Sequence, residues 1–253
     1  MVGTSGAGLP VDVPGAHPLR LVAVTHGAPS AENREAVIRL VDAVASERPE
    51  LDVSISFVDA ANRDVAASLA AAAEPDAVIV PLVLSAGFHV RTGLSLGLDR
   101  LGGGAQLADE LGPDDRLVAV LARRLVDLGI DEEDTVVLAA AGSNDPRAVR
   151  ECFETARRLG QRLGRPVTVG FIAAAIPRLP DAIEMIREVH PGSRVVVGTY
   201  LLAPGTFYDA ATHAGGDLIA APLLLPAESA PHELVELVLE RYAAVDANDW
   251  ETA

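Results

Sequence analysis

Ala77-Val78-Ile79-Val80-Pro81-Leu82-Val83-Leu84 runs directly into Ser85-Ala86-Gly87-Phe88-His89. An apolar run with no alternation describes a strand buried on both faces, the condition of a parallel sheet covered by helices on each side. The run closes on small residues and a histidine, as a loop at a strand's carboxyl end does. Residues 91–101 then read as a helix stopped by Gly102-Gly103-Gly104. Upstream, residues 19–25 (LRLVAVT) form a first strand ending at His26-Gly27, and a helix follows Pro29 with Val37, Leu40, Val41 and Val44 on one face. Residues 53–58 read as a second strand. Residues 64–73 read as a helix stopped before Pro75. A short strand near 105–108 and a helix from Pro113 to about Leu128 complete the unit. Strands alternating with helices imply a parallel sheet with right-handed crossovers.

The pattern then repeats. Val136–Ser143 mirrors Leu21–Ala28, residues 147–163 mirror the first helix, and residues 169–172 mirror 55–58. Residues 195–202 with Ala203-Pro204-Gly205 mirror 78–84 with Ser85-Ala86-Gly87, and 217–225 and 231–242 mirror the closing strand and helix. His26 and Ala141 are 115 positions apart, Asp59 and Ala173 114, and Gly87 and Gly205 118. The reading is an α/β chain of two tandem halves, each a parallel sheet flanked by helices. A leader (1–18) precedes an N-terminal half (19–130), a C-terminal half (134–246) and a tail (247–253). The charged stretch Asp131-Glu132-Glu133-Asp134 marks the boundary.

Composition excludes some classes. The formal net charge of the 253 residues is −16, which disfavours sequence-independent nucleic-acid binding and docking on anionic membranes. The single cysteine, Cys152, can build neither an internal disulfide nor a multi-cysteine metal site. The first 18 residues lack a cationic start and no long uncharged apolar run occurs, so a cytoplasmic setting is expected.

Ligands of open parallel sheets bind outside the carboxyl ends of the strands. His26, Asp59 and His89 fall at three such ends in the first half, and their counterparts are Ala141, Ala173 and Phe207. The second half keeps the backbone pattern and lacks the imidazoles and the carboxylate. A structural histidine would more naturally appear in both halves, so the asymmetry marks a functional site. Neutral imidazoles bind Fe²⁺, Co²⁺, Ni²⁺ or Zn²⁺ and accept protons. Gly27 and Gly87 permit close ligand approach. Asp59 is a third metal ligand or a helix cap. Arg91 is a carboxylate-gripping side chain or a solvated helix residue. His213 and His232 read as surface residues and His190 as part of a turn.

Thr25-His26-Gly27, Phe57-Val58-Asp59 and Pro81-Leu82-Val83-Leu84-Ser85-Ala86-Gly87-Phe88-His89-Val90-Arg91 together resemble the CbiX/SirB-type sirohydrochlorin chelatases, in their long two-repeat form. The resemblance spans about Leu19 to Val245. It implies a chelatase-like fold with the active cleft between the halves. It implies insertion of a divalent metal (Fe²⁺, Co²⁺ or Ni²⁺, as substrate, with no permanently bound cofactor) into sirohydrochlorin, an anionic tetrapyrrole. His26 and His89 then act at the metal, with Asp59 beside them. Gly27, Ser85, Gly87, Arg91 and Phe207 line the substrate, Phe207 offering an apolar face. The chain departs from the family in having Ala28-Pro29 where Ser-Arg is usual, and aspartate at position 59 where glutamate is common. With the second half fused to the first, a monomer containing an internal pseudo-dimer is expected.

Two other functions fit parts of the pattern. A histidine phosphatase also carries His-Gly after its first strand, but its preceding arginine is Thr25 here. A non-catalytic tetrapyrrole or metal carrier would bind without turnover. Dinucleotide binding is disfavoured, because no GxGxxG follows the first strand.

Overall fold

The computed structural model describes residues 20–26, 30–58, 77–85, 88–100 and 105–246. The leader, Gly27, Ala28-Pro29, Asp59, the expected helix at 64–73, Gly87 and the tail lie outside the described residues.

Two four-stranded parallel sheets account for the strands. The first comprises β1 (Arg20–His26), β2 (Val53–Val58), β3 (Ala77–Pro81) and β4 (Gln106–Leu107), in the order β2-β1-β3-β4. The second comprises β5 (Thr135–Ala140), β6 (Val167–Phe171), β7 (Val195–Tyr200) and β8 (Leu218–Ile219), in the order β6-β5-β7-β8. The registers repeat as well as the order. Leu21 lies opposite Val53 as Val136 lies opposite Val167, and Arg20 lies opposite Ala77 as Thr135 lies opposite Val195. The spacings seen in the sequence are therefore ladder registers. β3, β7 and Leu21–Val24 of β1 are buried throughout, as strands covered on both faces must be.

The helices are α1 (Ala31–Glu47), α2 (Phe88–Arg100), α3 (Asp115–Asp127), α4 (Pro146–Leu163), α5 (Leu179–Val189), α6 (Thr206–Thr212) and α7 (His232–Asp246). Their ends follow local chemistry. The Ser30 side chain accepts from the Asn33 N–H at the start of α1, and Asp114 accepts from Arg116 at the start of α3. Asp145 caps α4 with Pro146 in its first turn, and Gly164 closes it in the left-handed conformation at φ 69°.

Alternate residues of each strand face opposite layers. Leu21, Ala23, Val78 and Val80 join Val136, Leu138, Ala140 and Val196 in one core shared by both sheets and filled by α1, α3, α4 and α7. Val22, Val24 and Ile79 face outward onto Leu94 of α2, while Val137, Ala139 and Val197 face Leu179, Ala182 and Ile183 of α5. The layers thus run helix, sheet, helices, sheet, helices. The closing helices cross over: α3 packs against β7 of the second sheet and α7 against β3 of the first. Arg123 of α3 grips Glu233 of α7 with both guanidinium nitrogens, at 2.6 and 3.1 Å. Each half therefore supplies a covering helix to the other's sheet.

Three elements differ in extent from the expectation. The strand expected over 77–84 stops at Pro81. Leu82 N–H still bonds the Val24 carbonyl at 2.7 Å, but the Val83 carbonyl takes the Leu111 N–H at 3.0 Å, so the chain leaves β1 for another partner. The strand expected over 217–225 shrinks to β8, since Pro222 has no N–H to donate. α2 begins at Phe88, so His89 stands in a first helical turn rather than a loop. Nothing in Phe88-His89-Val90 breaks a helix.

Candidate functional site

In each sheet the strand order reverses around its first strand, creating a switch point where crossovers depart to opposite sides. Such a point leaves a crevice beyond the strands' carboxyl ends. In the first sheet it lies between β1 and β3, and His26 is the last residue of β1. Beyond β3, Leu82–Ser85 leads to α2 and His89. His26 pairs with Val58, the last residue of β2. The backbone thus brings His26 and His89 to one switch point. The side chains of His26, His89 and Arg91 lie outside the described residues, as do Gly27, Asp59 and Gly87.

The second switch point lies between β5 and β7. Ala173 N–H donates to the Ala141 carbonyl at 2.9 Å, so the counterparts of Asp59 and His26 are direct neighbours. Gly142 adopts φ +89°, and a Cβ there would meet the Ala173 carbonyl oxygen at 1.9 Å. Only glycine admits this approach. Phe207 stands in the first turn of α6 and is 46% exposed, and Ile176, in the loop after β6, is 81% exposed. This rim is apolar where the first rim carries imidazoles.

The two rims meet. Asn33, in the first turn of α1, donates from Nδ2 to the Pro204 carbonyl beyond β7 at 2.8 Å. The Cys152 thiol, on α4, is buried. Burial pushes that thiol up to about 11, against the opposing pull of Ser85. It therefore stays protonated at neutral pH. The buried Tyr200 hydroxyl donates to the Leu84 carbonyl at 3.1 Å. Burial holds this phenol well above its ordinary value, so it remains a donor.

Arg34 lies beside the first rim. Its guanidinium carbon sits 4.5 Å from the centroid of the Phe57 ring, and Phe57 pairs with Thr25, one residue before His26. Among the described residues Arg34 makes no ion pair, while Arg39, Arg116, Arg123, Arg158 and Arg194 are all matched to carboxylates. A guanidinium stacked on an aromatic face keeps its N–H edge available for a carboxylate. Sequence reading missed Arg34, Asn33 and Tyr200. The available signal was an arginine in the first helical turn after the His-Gly loop.

His213 and His232, expected at the surface, are exposed, as is His190, and His232 pairs with Glu236 at 3.3 Å. His190 caps the end of α5. Among the described residues no group of three or more His, Cys, Asp or Glu could hold a metal. No described helix is long and apolar enough to cross a membrane.

Comparison with known proteins decides the family. The CbiX family model matches residues 20–128 and, a second time, residues 135–225. The chain belongs to the CbiX family. The double match to CbiX falls on the two halves seen in the sheets. Among solved structures, SirB from Bacillus subtilis with Fe3+ has a TM-score of 0.69 at 17% identity, covering 92% of this chain and 98% of that one. The sirohydrochlorin chelatase SirB from Bacillus subtilis subspecies spizizenii in complex with cobalt gives 0.63 at 14% identity, with the same coverage. CbiX, the terminal enzyme for biosynthesis of siroheme in denitrifying bacteria, gives 0.58 at 20% identity, over 87% of this chain and 98% of that one. At these identities the likeness is one of fold. No curated protein sequence matches the chain.

Proposed function

We propose that this chain is a sirohydrochlorin chelatase, inserting a divalent metal into sirohydrochlorin with release of two protons. One observation carries the reading. The two halves repeat the same sheet order, and His26 and His89 of the first half correspond to Ala141 and Phe207 in the second. A purely structural requirement of the fold would have kept them in both halves. Membership of the CbiX family supports this over the histidine-phosphatase alternative.

The chemistry follows from the residues. Neutral imidazoles at positions 26 and 89 receive the entering metal and accept the pyrrole protons. Asp59 is the third candidate ligand. Gly27 and Gly87, which have no Cβ, leave room for the macrocycle, and Ser85 is a further substrate-lining residue. The substrate's carboxylates meet Arg34 and Arg91, a short-range attraction needed because a net charge of −16 repels an anion at distance. Phe207 and Ile176 present an apolar wall to the macrocycle. Iron is the metal we favour, for siroheme; cobalt, for cobalamin, fits the same ligands.

The test is absorption spectroscopy of sirohydrochlorin with Fe²⁺, Co²⁺ and Ni²⁺ in parallel. Catalytic conversion of the free-base spectrum with at least one metal supports the reading. Retention of the tetrapyrrole with no turnover above the uncatalysed rate would make the protein a carrier instead.

A further inference from the structure

Tyr200 ends β7, and its hydroxyl reaches across to the first half. There it donates to the Leu84 carbonyl at 3.1 Å, with Tyr200 3% and Leu84 9% exposed. The contact needs a slot. A Cβ at Gly112 would lie 2.2 Å from the Tyr200 oxygen and 2.5 Å from the Leu84 carbonyl oxygen. Leu84 and Ser85 lie beyond Pro81, where β3 pairing with β1 ends. The segment leading to α2 is therefore gripped at Leu84 by the second half.

We propose that Tyr200 is a positioning residue for the metal site, fixing the segment that delivers His89 to the rim. The inference rests on the reading of His89 as a metal ligand. The second half has no imidazole at its own switch point, yet it sets the geometry of the first. A buried carbonyl left without its donor is destabilised by its lost solvation. The Leu84 segment would relieve that cost by shifting toward water, carrying the first turn of α2 with it.

Three variants of the full chain test this by Co²⁺ titration, monitored by visible absorption, together with steady-state insertion kinetics. Tyr200→Phe keeps the ring and removes the donor. It should weaken Co²⁺ binding about tenfold, as loss of a group that orients a metal ligand does, and lower kcat with KM for the tetrapyrrole unchanged. Thr199→Val is the control. Thr199 is the preceding residue, fully buried, and its hydroxyl donates to the Ala220 carbonyl at 3.0 Å within the second sheet. It should lose comparable thermal stability and keep wild-type Co²⁺ affinity. Wild-type affinity in Tyr200→Phe, or equal weakening in both variants, would overturn the proposal. His89→Ala separates the two layers of the argument. If it binds Co²⁺ normally, the assignment of His89 fails and the positioning role falls with it. If it loses Co²⁺ while Tyr200→Phe does not, only the positioning role fails.

Discussion

Asn33 and Pro204 are 171 positions apart in the chain, yet the Asn33 amide donates to the Pro204 carbonyl at 2.8 Å. The bond joins the first turn of α1, just past the His26 rim, to the loop beyond β7. It is part-buried, so its loss should cost about 1 kcal/mol. Asn33→Ala should therefore fold normally and show a raised KM for sirohydrochlorin with nearly unchanged kcat, because the rims are less firmly apposed. Unaltered kinetics would show that the contact serves stability alone.

The imidazoles themselves make the sharpest prediction. His26→Ala and His89→Ala should each abolish metal insertion while circular dichroism and melting stay close to wild type. His232→Ala should behave as wild type, since that side chain is two-thirds exposed and pairs only with Glu236 on its own helix. Near-normal insertion by either of the first two variants would remove that histidine from the site.

Arg34 and Arg91 are assigned to uniform binding of the substrate's carboxylates. Each alanine variant should raise KM more than it lowers kcat. Arg34→Lys keeps the charge and loses the planar stack on Phe57, so it should restore only part of the affinity. A KM independent of position 34 would leave Arg34 as a packing residue.

The inter-half boundary contains a pH-dependent tie. Arg194 donates to both carboxylate oxygens of Asp134 at 2.7 Å, and the Asp131 N–H adds a third bond to this carboxylate, which is 2% exposed. The Arg194 hydrogen bonds hold the carboxyl below its ordinary value, against the opposing effect of burial. A depressed value in the folded state means the stabilisation is fully present above the unfolded-state value of about 3.9 and is lost as pH falls toward the lower folded value. Asp134→Asn should therefore melt earlier than wild type at pH 7, and the gap should close progressively below about pH 4. A gap constant from pH 7 to pH 3 would contradict the linkage.

Stoichiometry follows from the repeat. Ala141 and Phe207 cannot ligate a metal through their side chains, so one chain should bind one catalytic metal and need no second copy to complete the cleft. Metal titration paired with solution mass measures this. Two equivalent tight sites per chain, or activity lost on dilution to monomer, would refute it.

The sequence determined the sheets. The unbroken apolar run at 77–84 and the β-rich run at 195–202 specified buried strands, and near-constant spacings between the halves became matching ladder registers. Histidines at strand ends of the first repeat, with Ala141 and Phe207 as their counterparts in the second, pointed to a single switch point. These signals are local or periodic, so they survive in one dimension. The exchange of α3 and α7 between sheets could not be read this way, because an amphipathic helix states that a face is buried and not against which sheet. The same holds for Tyr200, whose partner Leu84 is 116 positions away. Its sequence context marks it as one more apolar residue of a strand. Only the meeting of two rims, governed by shape and by the need to satisfy buried polar groups, turned its hydroxyl into a clamp on the segment before His89.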